Sequence, residues 1–412
     1  MLRNWMVRLH RWFGLATAVF LFIAGATGAI ISWDHELDEW LNPDFFEART
    51  EGDPLPVAEL VARIEAEDPR VRVTFHPLVI EPGHVFLASV RPRVDKATGE
   101  LHTPGYNQVA VDPVTGEVQA RRDWGAVSLA RENLLPFLYK LHYSMHLPDV
   151  GAFRLGLFFM GIVAIVWVLD TLIALWISFP SWSQWRKSLT LRWSAGGHKL
   201  LFDVHRSGGV WLFALLLILA VTSVGMNLRD QVMAPLVSVF SELSPSPFRD
   251  RKPAPPTQPV EPALSMSEAV ARATVFARER GVTEPAGAVF LSPAFGVWGV
   301  GFFEGDNHHG DGGLGNPWIN IDSRTGAFVG ATLPGQGSAG DIFMQSLFPL
   351  HSGRIIGLPG RILMTVMGVA VAVFSVTGVV IWARKRKARM ALAARVASPE
   401  RVSSAHAIRT PH

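Results

Sequence analysis

The sequence predicts a membrane protein: an α-helical bundle of four transmembrane helices carrying two α+β domains on one side of the bilayer, built by internal duplication. Three observations predict it. The 412 residues are 49% hydrophobic yet 18% charged, which suits neither a soluble domain nor a bare bundle. Apolar stretches at about 12–33, 155–179, 210–228 and 360–382 each reach the ~20 residues that a bilayer's hydrocarbon layer demands. Short motifs also recur in the same order in both halves of the chain.

Residues 1–33 read as an inner-side terminus and a first span. This span is expected to be retained, because its apolar run is long for a signal peptide and ends in "ISWDHELDEW" without a small-residue cleavage site. Residues 34–136 then form the first outer domain, 137–180 a histidine-bearing segment with the second span, and 181–207 an inner loop. The third span is expected at 208–229, the second outer domain at 230–345, another histidine-bearing segment with the fourth span at 346–383, and a basic tail at 384–412. Within 230–345, the Pro-rich "SPSPFRDRKPAPPTQPVEP" at 244–262 reads as a linker.

Basic residues set the orientation. Arg3, Arg8 and Arg11 precede the first span; Arg186, Lys187, Arg192, Lys199 and Arg206 lie between the second and third; "RKRKAR" follows the fourth. The positive-inside rule puts both termini in the cytoplasm and both outer domains, in a bacterium, in the periplasm of a multi-pass inner-membrane protein. The basic balance thus reflects a lipid bilayer as partner and no nucleic acid. The absence of cysteine excludes thiolate-held clusters, catalytic thiols and disulfides. No G-x-G-x-x-G follows a strand, and there is no P-loop.

The duplication is visible residue by residue. "LHRWFG" at 9–14 matches "VHRSGG" at 204–209, "VAVDPVTGEV" at 109–118 matches "INIDSRTGAF" at 319–328, and "LYKLH" at 138–142 matches "LFPLH" at 347–351. In the outer domains "VAELVARIEAE" and "MSEAVARATVFARERG" carry helical spacing, whereas "HVFLASV", "YNQVAVD", "EVQARR", "GVWGVGF" and "WINID" alternate as strands do. Asp-Pro-x-Thr-Gly and Asp-Ser-x-Thr-Gly supply turn chemistry between strands.

A helix followed by a strand, D-P-x-T-G and a second strand resembles the PepSY domain. "LHRWFGL", "GHKLLFDVHR" and "PLHSGRIIGLPGRIL…TGVVIW" are similar to the PepSY-associated transmembrane family of bacterial inner-membrane proteins, from about residue 3 to 386. The better-understood members that the chain resembles are di-haem ferric-siderophore reductases. The resemblance therefore implies haem b, two per chain, and an oxidoreductase.

Depth sorts the histidines under that implication. A helix rises 1.5 Å per residue, so the ends of a ~22-residue span lie about 33 Å apart and one iron cannot draw ligands from both. His10, His198 and His205 belong to an inner tier; His35, His142, His146 and His351 to an outer one. One ligand from each half gives His10 with His205 and His142 with His351 as axial pairs of haem iron, a bis-His arrangement suited to electron transfer. His146, four residues after His142 on the same helical face, is an alternative ligand, and so is His198, two turns before His205. His35 has no counterpart in the repeat and reads as interfacial.

Asp170, an ionisable residue inside a span, is either a group with a role near the inner haem or in proton movement, or a structural hydrogen-bond partner of a neighbouring helix. Arg154, Arg354 and Arg361 at outer helix starts, and Arg8 and Arg11 at the inner side, can meet haem propionates or serve as anchors. Trp12 and Trp382 either pack on a macrocycle or belong to interfacial belts. "GDNHHGDGGLGNPW" at 305–318, with His308 and His309, reads as a loop rather than a metal site. His76, His84 and His102 form no constellation.

The expectation is an inner-membrane reductase that takes electrons from quinol or a cytoplasmic electron donor and passes them to a periplasmic ferric siderophore. The alternative is a non-catalytic PepSY scaffold or regulator that binds a periplasmic protein or protease. A permease is disfavoured, since no pair of broken helices is evident in the sequence.

Overall fold

The computed structural model describes residues 1–397 apart from 152, 182, 184, 308 and 309. Among the described residues three helices are long and apolar enough to cross a membrane: α1 (Leu2–Ile31), α5 (Leu155–Ser178) and α10 (Leu358–Ala397). A bent pair, α6 (Gly197–Trp211) and α7 (Phe213–Asn227), makes a fourth crossing if its parts are taken together.

That third span is not the uninterrupted stretch expected at 208–229, because α6 and α7 meet at 71°. Ser207, Gly208 and Gly209 stand just before the break, and small-residue clusters of this kind are where helices kink. The counterparts in α1 are Trp12, Phe13 and Gly14, and α1 runs unbroken. Gly208 also allows close approach: a β-carbon there would lie 3.0 Å from the Phe374 ring.

Between the spans lie α2 (Asp34–Leu41), α3 (Val57–Glu67), α4 (Leu134–Ser144), α8 (Met266–Arg278) and α9 (Ala339–Ser352). The strands are β1 (Val71–Pro77), β2 (Phe86–Pro92), β3 (Gln108–Val111) and β4 (Val118–Arg122), then β5 (Ala286–Ser292), β6 (Val297–Phe302), β7 (Trp318–Asp322) and β8 (Phe328–Thr332). Each half repeats the order helix then four strands. The halves are not separate sheets, however: all strands join one antiparallel sheet in the order β4-β3-β2-β1-β5-β6-β7-β8. Its seam pairs Phe75 with Phe290, His76 with Val289 and Pro77 with Ala288.

Helices cover one face of the sheet. Leu60 and Ile64 of α3, one turn apart, pack with Val71, Phe86, Ala88, Val109 and Val111; Ala269, Ala273 and Ala277 of α8 pack with Val289, Val300, Ile319 and Ile321. The turn motifs are built identically. Asp112 Oδ1 accepts from the amides of Val114 (2.9 Å) and Thr115 (3.0 Å), and Asp322 Oδ1 from those of Arg324 (3.0 Å) and Thr325 (2.9 Å). Gly116 and Gly326 both sit at φ 73°, a conformation that β-carbons resist. A covering-helix arginine then clamps each turn: Arg63 donates to the Thr115 carbonyl (2.6 Å) and Arg272 to that of Thr325 (2.8 Å).

The first half carries a buried ion pair besides. Arg122 Nη1 meets Asp38 Oδ2 at 2.7 Å, the guanidinium lies over Phe45 at 4.3 Å, and both charged side chains are almost fully buried. The Pro-rich segment is tied down rather than free. Its Ala254 and Val260 amides donate to the carbonyls of Ala294 and Pro293, and Arg251 pairs with Asp322 at 2.9 Å.

The chain divides into two compact units. One comprises Met1–Ala26, Ile165–Leu217 and the described residues from Val369 onward; the other comprises Thr27–Ala164 and Ile218–Gly368 and contains the whole sheet.

Candidate functional site: two histidine pairs

In the first unit His10 of α1 and His205 of α6 face each other with ring centres 6.2 Å apart. Each ring is held by its Nδ1. His10 Nδ1 lies 2.9 Å from Asp170 Oδ1 of α5, and a carboxylate can only accept, so Nδ1 carries the proton. His205 Nδ1 lies 3.0 Å from Thr377 Oγ1 of α10. That hydroxyl spends its single proton on the Val373 carbonyl at 2.8 Å, so it accepts from His205. In both rings Nε2 is the nitrogen that these bonds leave uncommitted, and in a neutral imidazole it carries the lone pair that can bind a metal.

The second unit repeats the device. His142 of α4 and His351 of α9 have ring centres 6.1 Å apart. Thr222 Oγ1 of α7 is 3.0 Å from His351 Nδ1 and donates to the Ile218 carbonyl at 2.7 Å, which again puts the proton on Nδ1. Thr27 Oγ1 of α1 stands 3.3 Å from His142 Nδ1. Glycines make room beside the rings: a β-carbon on Gly28 would lie 3.0 Å from His142 Cε1, and one on Gly378 3.1 Å from His205 Cε1.

The connections follow the duplication. Within the first half Asp170 holds His10 and Thr27 holds His142; within the second, Thr377 holds His205 and Thr222 holds His351. Each pair takes one histidine from each half. The holders are themselves repeat equivalents. Thr27 follows His10 by the same interval that separates Thr222 from His205, and Asp170 follows Arg154 as Thr377 follows Arg361. That constant interval was the available signal for the three threonines, which reading the histidines alone missed.

Other sequence candidates lie elsewhere. His146 does not share a helical face with His142, because α4 ends at Ser144 and Met145 and His146 both adopt left-handed backbone, at φ 53° and 52°. Its Nε2 donates to the Phe137 carbonyl at 2.9 Å, and its ring stacks on Phe137 at 4.6 Å. His198 is exposed at the start of α6, and His35 lies edge-on to Phe46. Arg354 is committed to Asp311 at 2.7 Å, while Arg361 is committed to Glu36 at 2.6 Å and to the Ser32 carbonyl; neither guanidinium is held in reserve for an outside carboxylate. Arg154 is exposed. Trp12 is exposed beneath Arg11, and Trp382 carries Arg386 over its ring.

His308 and His309 lie outside the described residues. His76 is buried and donates to the Pro77 carbonyl; burial holds its pKa below the usual imidazole value. Burial also works against a charged His84, but the Glu39 carboxylate at 3.1 Å outweighs it and raises that pKa. His102 joins neither pair.

Among the described residues no group of three or more His, Cys, Asp or Glu gathers to hold a bare metal ion. Two imidazoles with Nε2 lone pairs can supply two ligands to one metal whose other positions are filled from elsewhere. No curated protein matches the chain. The family model for the PepSY-associated TM region matches residues 7–385, nearly the whole sequence, and the chain belongs to that family.

Proposed function

We propose that the chain is a bacterial inner-membrane di-haem reductase. His10 and His205 would hold one haem b, and His142 and His351 the second. One electron at a time, drawn from quinol or a cytoplasmic electron donor, would reduce the iron of a periplasmic ferric siderophore. Ferrous ion binds hard hydroxamate or catecholate oxygens far more weakly than ferric ion, so reduction releases iron for uptake.

The observation that carries this reading is the spacing of the rings. An imidazole nitrogen binds a metal ion at about 2.0 Å and sits about 1.1 Å from its ring centre, so axial rings on one iron have centres about 6 Å apart. The two pairs stand at 6.2 and 6.1 Å. Two protein ligands per site is also the number that a macrocycle with four nitrogens leaves open. When bound, haem supplies a one-electron iron couple with both axial positions filled.

The protein's residues supply the rest. The Nδ1 hydrogen bonds fix each ring's tautomer and aim. Gly28 and Gly378 keep side-chain bulk away from His142 and His205. A cleft of about 1530 Å³ opens at the seam between β1 and β5, lined by Phe75, Arg91, Lys96, Phe248 and Phe290 and by Arg72, which is paired with Glu261 at 2.6 Å. Cationic and aromatic groups together suit an anionic, aromatic-bearing chelate. With neither cysteine nor a dinucleotide motif, electrons come from an external donor.

Absorption spectra of the purified protein, oxidised and dithionite-reduced, test the reading. The expected result is a low-spin haem spectrum with two haems per chain, and His10→Ala and His351→Ala each removing a different one. A colourless protein from cells supplied with haem would overturn it and favour a scaffold that binds a periplasmic partner.

A further inference from the structure

Three of the four paired histidines rest on threonine, whereas His10 rests on a carboxylate. The exception is not forced by the fold, since the equivalent position in the other half is Thr377, which holds His205 with the same Nδ1 geometry at 3.0 Å. Nor is it cheap. A carboxylate within a span is costly, and Asp170, with a side chain only 13% exposed, has His10 Nδ1 at 2.9 Å as its hydrogen-bond donor.

We propose that Asp170 makes the haem held by His10 and His205 the more reducing of the two. The inference rests on the di-haem reading above. An anionic acceptor on Nδ1–H increases the electron donation of Nε2 and places a negative charge beside the iron, which stabilises ferric over ferrous iron. A threonine oxygen does the first weakly and the second not at all. A ferric centre's positive charge would in turn compensate the buried carboxylate. Asp170 is thus a positioning residue whose charge would set a direction: with haem bound at both pairs, the His10/His205 site would be the one that gives up an electron and the His142/His351 site the one that takes it. No bond is made or broken, and the electron gained by one iron is the one lost by the other.

A redox titration that follows the reduced haem bands tests this. The wild-type protein should show two couples, the lower being the one that His10→Ala removes. Asp170→Thr, which installs the residue of the other half, should keep two haems and shift the partition of one electron between the sites tenfold or more, about 59 mV, by raising the lower couple alone. Thr222→Asp should lower the other couple by a similar amount. Unmoved couples in an Asp170→Thr protein with full haem would overturn the proposal. So would an unmoved couple in Thr222→Asp, which decides the matter if Asp170→Thr sheds its haem. A protein without haem would instead overturn the reading on which the proposal rests.

Discussion

The two halves of the sheet solve their turn problem with the same residues, whereas the four paired histidines solve theirs with two different ones. Asp112 and Asp322, Gly116 and Gly326, and Arg63 and Arg272 repeat the same amide and carbonyl bonds, to which Asp322 adds an ion pair with Arg251. Asp170 and Thr377 are not copies, although both do the same geometric work. At the turns the duplicated residues agree; at positions 170 and 377 one half has a carboxylate and the other a hydroxyl for the same hydrogen bond. A buried carboxylate and a hydroxyl orient a ring equally well but differ by a full charge.

The comparison breaks most visibly at the outer ends of the sheet. Arg122 of β4 pairs with Asp38 beneath Phe45, whereas its counterpart on β8, Thr332, is exposed. Truncating one partner of a buried pair strands the other charge, so Arg122→Ala should cost about 3–5 kcal/mol. Thr332→Ala should stay within about 0.5 kcal/mol. Hydrogen exchange of the β3–β4 and β7–β8 amides measures both. Equal protection losses in the two variants would mean that the halves are energetically alike and that the Arg122–Asp38 pair contributes little.

A second test sharpens the comparison among the histidines. Thr222→Val preserves shape but removes the acceptor of His351 Nδ1, and Thr377→Val does the same for His205. If the pairs hold haem as proposed, losing such an outer hydrogen bond should weaken its retention at that pair about 10–100-fold, with the serine variants restoring it. Haem transfer to an acceptor protein reads this directly. Unchanged retention would show that packing alone fixes these rings.

The sequence exposed the spans and the four histidines because hydropathy and repetition are local or strictly periodic signals. It concealed the single sheet, since the seam joins Phe75 to Phe290 across most of the chain and no pattern within either strand announces the partner. β1 was further disguised by a bulge between Val73 and Phe75 that interrupts its alternation. The threonine holders were hidden for a chemical reason. A threonine in a span normally satisfies itself on the preceding turn's carbonyl, as Thr377 and Thr222 also do, so its second bond shows in no local pattern and only in the interval that the two halves share. The left-handed backbone at Met145 and His146 likewise has no glycine to signal it, and so His146 reads as sharing a face that it does not share.

The smallest expected effect tests the copies themselves. Burial pushes the carboxyl pKa of Asp112 and of Asp322 upward, but amide donors, chiefly from Thr115 and Thr325, outweigh it and hold both below the ordinary value of 3.8. A depressed folded-state pKa contributes stability that is fully present above the unfolded value and is lost as the pH falls through the folded one. Both turns should therefore hold at neutral pH and weaken only below about pH 4, where unfolded aspartate begins to take up protons. Asp112→Asn and Asp322→Asn keep the accepting oxygen and remove the titration. Each should cost about 1 kcal/mol or less at pH 7 and flatten the acid limb of the stability profile by a similar amount. The outcome that would sink this is a flattening seen in one variant and absent in the other. The amide bonds that the two turns share would then not be what holds both carboxyls down, and the Arg251 partner that Asp322 alone has would set the difference.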